Sequence, residues 1–205
     1  MIDLSSLLIC GAFEGELDIL SKFPSLNVVK TGIGSYESTF NLQYNLLRNR
    51  KINSVLFVGS AGAYPHSQIR TGELVYSNAF VYREIAEMKG LVKVPHKLGR
   101  NIITKKDDSL GPLLRHFRKA STNSTNYITV TDLELEECID YLYDVEVENM
   151  EAFGLAFVAY KFSVPFTACY TITNLVSENG SNEWAANWRE GSNRLQKAVL
   201  KLLFP

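Results

Sequence analysis

Between Glu151 and Phe162 the chain holds a helix-length stretch with almost no polar side chain, and an apolar strand-length run, Phe166–Ile172, follows at once. A helix that is apolar all round has to be buried, and a buried helix joined to a buried strand fits a layered α/β architecture. Further apolar, strand-like runs recur at Leu7–Ala12, Leu26–Thr31, Ser54–Val58, Glu73–Ser77 and Tyr127–Val130. Helical periodicity separates several of them, at Tyr36–Arg50 and Asn187–Leu203. In the last stretch Trp188, Leu195, Val199 and Leu202 share one face, leaving Arg189, Arg194 and Lys201 to water. The expectation is one α/β domain over residues 1–205, with a central mixed, twisted β-sheet flanked by helices. Arg83–Ser109 is more polar and reads as loops or an edge excursion.

The buried helix opens on Glu148-Asn149-Met150-Glu151, and the strand after it closes on Thr173-Asn174. Packing does not ask for a carboxylate at the head of a buried helix. Two polar groups at neighbouring strand ends are the means to grip a small polar molecule.

Composition narrows the classes. A formal net charge of -1 over 205 residues gives no electrostatic footprint for nucleic acid or for an anionic membrane. No apolar stretch has the length of a bilayer span. The run Leu7–Phe13 is cut by Glu14 and has no basic segment before it, so it reads as a core strand and not as a signal peptide, and the expected compartment is the cytoplasm. Cys10 and Cys169 lie in apolar runs and are expected as buried free thiols. His66, His96 and His116 lack ligand spacing, so neither a metal nor a cofactor is expected.

Three further strand ends carry small or acidic residues. Gly59-Ser60-Ala61-Gly62-Ala63 offers backbone N–H groups and the Ser60 hydroxyl to a ligand, or equally a tight turn with glycine at positive φ. It has neither the Lys of a P-loop nor dinucleotide spacing. Gly11-Ala12-Phe13-Glu14-Gly15-Glu16 ends the first strand and leads into a helix expected over Leu17–Phe23. Glu14 suits the helix dipole there, whereas Glu16 is placed to hold a water as general base. Thr31-Gly32-Ile33-Gly34-Ser35 reads as a simple turn before a helix.

Taken in order, these joints resemble the nucleoside phosphorylase/nucleosidase superfamily across most of the chain. The resemblance implies a purine nucleoside as ligand. Met150 and Glu151 would lie under its ribose, with Ser60, Ala61 and Gly62 beside ribose and base. Glu16 would activate water, Asn174 would face the purine with Thr173 next to it, and the loop at Thr131–Leu135 would flank the base. It also implies a homodimer. Phosphorylases hold phosphate with arginine, and neither Gly11–Glu16 nor Lys51–Val58 contains one, so water is the expected nucleophile. Nucleosidases for methylthioadenosine and S-adenosylhomocysteine carry Asp where Asn174 stands. An amide can donate to the O6 of a 6-oxopurine, and Asn174-Leu175-Val176 with Trp184 is similar to futalosine hydrolases, so release of hypoxanthine from futalosine is the first expectation. A methylthioadenosine/S-adenosylhomocysteine nucleosidase and a non-catalytic nucleoside-binding protein are the alternatives. Tyr170 departs from the Arg that many relatives carry there, which bears on the support of Glu151 and Asn174.

Overall fold

A computed structural model describes residues 3–105, 107–130 and 140–204 of the chain. Its spine is two ten-residue parallel strands, β3 (Ser54–Ala63) and β10 (Phe166–Leu175), in register from Val55↔Phe166 to Ala63↔Leu175 with one irregularity between Ile172 and Asn174. Both strands are buried along nearly their whole length, so their apolar content is nearly continuous instead of alternating. β1 (Leu7–Gly11) lies parallel to the first half of β3 and to β2 (Asn27–Lys30). The far end of β3 pairs antiparallel with β9 (Val147–Glu148), beside β8 (Thr122–Ser124), β5 (Ala79–Tyr82) and the edge strand β6 (Asn101–Ile103). On the other flank β10 meets β4 (Leu74–Ser77) antiparallel, and β4 meets β7 (Arg118–Lys119). The sheet is mixed, as expected.

Among the described residues three long helices cover it: α1 (Ser35–Arg48), α2 (Ala152–Lys161) and α3 (Gly180–Leu203). One core joins the β3 and β10 side chains of one face to Leu42 and Leu46 of α1 and Leu155 and Val158 of α2. The opposite face packs Val58 and Cys169 against Leu195 and Val199 of α3. Burying either set of these Leu and Val side chains is worth about 1.5–3 kcal/mol each, before the entropy of ordering them. Cys10 and Cys169 are both free and buried, and Cys138 falls outside the described residues.

Four expectations need correction. The helix expected over Leu17–Phe23 is a pair of 3₁₀ turns, Glu14–Glu16 and Leu20–Lys22, because Leu17 and Leu20 both turn inward to the same core. Tyr127–Val130 is not a strand: Tyr127, Ile128 and Val130 are exposed, and no neighbouring backbone in the described residues offers a ladder. The last helix begins seven residues before Asn187. The Gly59–Ala63 segment is no turn at positive φ but the continuation of β3, held in extended pairing by β10 and β9.

Candidate active site

The parallel strands β1, β3 and β10 all point the same way, so their carboxyl ends share one rim, the place where open α/β sheets bind ligands. A cavity of about 500 Å³ lies there, closed by the start of α2 and the first turns of α3. Glu16, Ser60, Ala61, Gly62, Met150, Glu151, Thr173 and Asn174, expected from the sequence as site residues, all line it. The Thr131–Leu135 loop falls outside the described residues.

Glu16 is buried at the wall nearest β1 and β3. Its Oε2 accepts from the Ala12 N–H at 3.0 Å, and its Oε1 from the Ser60 N–H at 2.9 Å and the Ser60 hydroxyl at 3.1 Å. Burial, and secondly the charge of Glu151, push its carboxyl up to about 8, while the three donors pull the other way. A carboxylate tuned near neutrality suits a general base at physiological pH. The Ser60 hydroxyl is fixed in turn, accepting from Trp184 Nε1 at 3.2 Å. Trp184 stacks on Trp188 at 5.7 Å between centroids, and Phe13 meets Trp188 edge-on at 5.2 Å.

Glu151 opens α2 from the opposite wall. Its Oε1 accepts from the Gly34 N–H at 2.8 Å and its Oε2 from Asn149 Nδ2 at 3.0 Å. Gly34 sits at φ 81, a conformation other residues adopt only under strain, and that conformation aims its N–H at the carboxylate. The turn at Thr31–Ser35 is therefore part of the site. Asn149 is the hub that the sequence left without a role. Its Oδ1 accepts from the N–H groups of Glu151 and Ala152, satisfying two donors at the start of α2, and its Nδ2 also donates to the Ser60 carbonyl. Asn after a strand and directly ahead of an apolar helix was the signal for it. Tyr170 is fully buried on the core face, where its hydroxyl accepts from Thr122 Oγ1 at 3.2 Å. Glu151 is thus supported by a backbone N–H and an amide, with burial raising its carboxyl.

At the end of β10, Thr173 Oγ1 donates to Asn174 Oδ1 at 2.9 Å, and Asn174 Nδ2 donates to the Leu175 carbonyl at 2.8 Å. One N–H and one lone pair of the amide are left for a ligand. Gly62 makes room for it, since a Cβ there would stand 2.9 Å from Asn174 Nδ2. A third carboxylate, Glu148, lies buried in the same cavity wall. Its Oε2 accepts from Tyr64 OH at 2.8 Å and Thr129 Oγ1 at 2.9 Å, and its Oε1 from the Thr129 N–H at 3.3 Å. Burial raises this carboxyl too. Among the described residues that line the cavity there is no Lys, Arg or His, and none of the described residues form a cluster able to hold a metal ion.

The phosphorylase superfamily model matches residues 13–203. No curated protein matches the chain. Solved structures of similar fold include the 5′-methylthioadenosine/S-adenosylhomocysteine nucleosidase from Neisseria meningitidis in complex with methylthio-immucillin-A, at 15% identity over 96% of this chain and 97% of that one, TM-score 0.78. The corresponding nucleosidase from Streptococcus pneumoniae, with a transition-state inhibitor, gives 15% identity over 96% and 97%, TM-score 0.79. Futalosine hydrolase of Helicobacter pylori gives 16% identity over 96% of both chains, TM-score 0.78.

Proposed function

The chain belongs to the phosphorylase superfamily, and we propose that it is a purine nucleosidase that hydrolyses the N-glycosidic bond of a 6-oxopurine nucleoside, futalosine being the first candidate substrate. The observation that carries this reading is the meeting of Glu16, Glu151 and Asn174, from three separate chain segments, in one cavity. Water held by Glu16 attacks the anomeric carbon and gives a proton to the carboxylate. The bond from that carbon to the base nitrogen breaks, and the base leaves with the electron pair. The transition state carries positive charge on the ribosyl ring and negative charge on the departing base. Glu151 accepts from the ribose hydroxyls and offsets the first charge, and the remaining Asn174 N–H meets the second. Glu16 delivers the proton it took to the base, which completes the products and restores the carboxylate. The absence of a cation among the described lining residues supports water over phosphate as nucleophile.

One observation favours a methylthioadenosine/S-adenosylhomocysteine nucleosidase as second reading, with methylthioadenosine as its substrate. Among the described residues the cavity is walled by Ile33, Ile128 and Met150 and carries three glutamate carboxylates, surroundings that suit an uncharged 5′ substituent better than a carboxylate.

The reading includes a cytoplasmic homodimer. Among the described residues no helix is long and apolar enough to cross a membrane. On α1, Tyr36, Phe40 and Tyr44 stand four residues apart with Leu47 beyond them, all exposed, and Phe157 and Tyr160 of α2 are exposed close by. This stripe begins beside Ile33 of the cavity wall, so a second copy seated on it would also narrow the cavity mouth.

Incubation of the purified protein with futalosine, methylthioadenosine and inosine, with and without phosphate, tests the reading. Free hypoxanthine from futalosine in the absence of phosphate is expected. Adenine from methylthioadenosine alone would replace the substrate assignment, and purine binding without release of any base would show a binding protein on this fold.

A further inference from the structure

The mechanism above leaves Glu148 unused, although it is a buried carboxylate in the cavity wall. Its position follows from strand register. Glu148 pairs with Gly62 on one side of β3, and Asn174 pairs with the same Gly62 on the other. Paired residues point to the same face of a sheet, and Val147 accordingly lies in the core of the opposite face. Glu148 and Asn174 therefore bracket Gly62 from adjacent strands, their Cα atoms about 9–10 Å apart at two strand spacings. The residue between them has no side chain, and the gap is wide enough for the hydrogen-bonding edge of one purine.

The polar groups behind Glu148 fix how it presents itself. Asn123 Nδ2 donates to Tyr64 OH at 2.9 Å, which leaves the Tyr64 hydrogen for Glu148 Oε2. Thr129 Oγ1 donates to the same oxygen. Oε1 receives one long contact among the described residues, from the Thr129 N–H at 3.3 Å, and keeps acceptor capacity for a ligand.

Resting on the nucleosidase reading, we propose that Glu148 is the base-selecting residue, its Oε1 accepting the N1–H of a 6-oxopurine whose O6 or N7 edge takes the free N–H of Asn174. Hypoxanthine offers a donor at N1 and acceptors at O6 and N7, which complements a carboxylate on one side and an amide N–H on the other. Adenine in the same pose would turn the N1 lone pair toward the carboxylate, an unfavourable contact in a buried site. The rule extends to guanine, which has the same N1–H and O6.

The test is calorimetric binding of hypoxanthine and adenine to the wild type and to Glu148→Gln. In the variant the two hydroxyl donors hold the amide oxygen in the place of Oε2, and the NH2 group replaces Oε1 as a donor. Wild type should prefer hypoxanthine by at least about tenfold. In Glu148→Gln hypoxanthine should weaken by roughly 10- to 100-fold, the range for losing a hydrogen bond to a charged group, while adenine binding holds or tightens. Equal weakening of both bases would reduce Glu148 to a support for the 125–130 loop and overturn the proposal. Equal affinity of the wild type for the two bases would overturn it without any variant. Failure of the wild type to bind either purine would remove the nucleosidase reading itself, and this assignment with it.

Discussion

Replacing Glu16 by Gln should remove turnover and, above neutral pH, make the protein more stable. A carboxyl ordinarily near 4.5 but pushed up to about 8 by burial holds its proton in the folded chain after the unfolded chain has lost it. Because the native state then binds more protons, stability falls as pH rises. The contribution is fully present below pH 4.5 and is lost as pH climbs through about 8. Each pH unit inside this window is worth about 1.4 kcal/mol, so the ceiling over the whole window is about 4–5 kcal/mol. Glutamine imitates the protonated acid, with its oxygen toward the two Ser60 donors and its NH2 toward the single Ala12 N–H. That last contact costs about 1–2 kcal/mol at every pH.

The two terms have different pH signatures, which makes the reasoning testable. At pH 5.5 wild type and Glu16→Gln should be within about 2 kcal/mol of each other, with the variant the weaker. By pH 8.5 the order should reverse, the variant gaining about 3 kcal/mol relative to the wild type across that interval. Urea unfolding followed by tryptophan fluorescence at half-unit pH steps gives the difference directly, because Trp184 and Trp188 both sit beside the site. A constant offset between the two proteins from pH 5.5 to 8.5 would refute it, since Glu16 would then titrate alike in both states.

Wild-type kcat/KM should rise with pH and level off above about 8, as Glu16 must be ionised to accept a proton from water; a flat profile between pH 6 and 9 would exclude it as base. Gly62→Ala puts a methyl 2.9 Å from Asn174 Nδ2 and 3.1 Å from Val176 Cγ2, and should lower kcat/KM tenfold or more at a stability loss of about 1–3 kcal/mol in a thermal melt. Asn149→Ala removes the donors and acceptors that join Ser60, Glu151 and the first turn of α2, and should lower stability by about 2–4 kcal/mol, with Asn149→Asp recovering the part due to the helix start. If the proposed dimer forms through the exposed stripe of α1, Phe40→Glu should give a folded monomer in sedimentation at half the wild-type mass; an unchanged mass would move the interface elsewhere.

The layered fold was legible because β3, β10 and α2 are apolar almost throughout, and continuous apolar runs bounded by polar residues leave little choice of element. The same property hid their ends. Gly59–Ala63 reads as loop chemistry, yet pairing on both sides draws it into β3, a tertiary effect that propensity does not contain. Tyr127–Val130 failed in the opposite direction, being strand-like in composition without a partner strand among the described residues. The residues that line the cavity at strand ends were legible because packing does not require them, as with Glu151 and Asn174. Asn149 and Gly34 were harder to see because each acts on another residue of the chain. Their partners are 2 and 117 residues away from the atoms they hold in place, and only the folded register brings the second pair together.

Three glutamates buried around one cavity run against stability, since each carboxyl is raised by burial and none faces a cation among the described lining residues. Each is held by donors from elsewhere in the chain, so the arrangement is specified and not accidental packing. The donors are unequal in kind. Glu16 and Glu151 are met by backbone N–H groups just after β1, within β3 and before α1, which fixes them to the rigid sheet. Glu148 is met mainly by the hydroxyls of Tyr64 and Thr129, the latter in the irregular segment beside the cavity. Two acids on rigid backbone suit a reaction whose transition state develops charge at fixed positions. An acid on side-chain hydroxyls suits recognition of a base, where the contact must form and release with each turnover. Reduced stability at alkaline pH, argued from Glu16, and the base selectivity proposed for Glu148 would then both follow from burying carboxylates around one cavity.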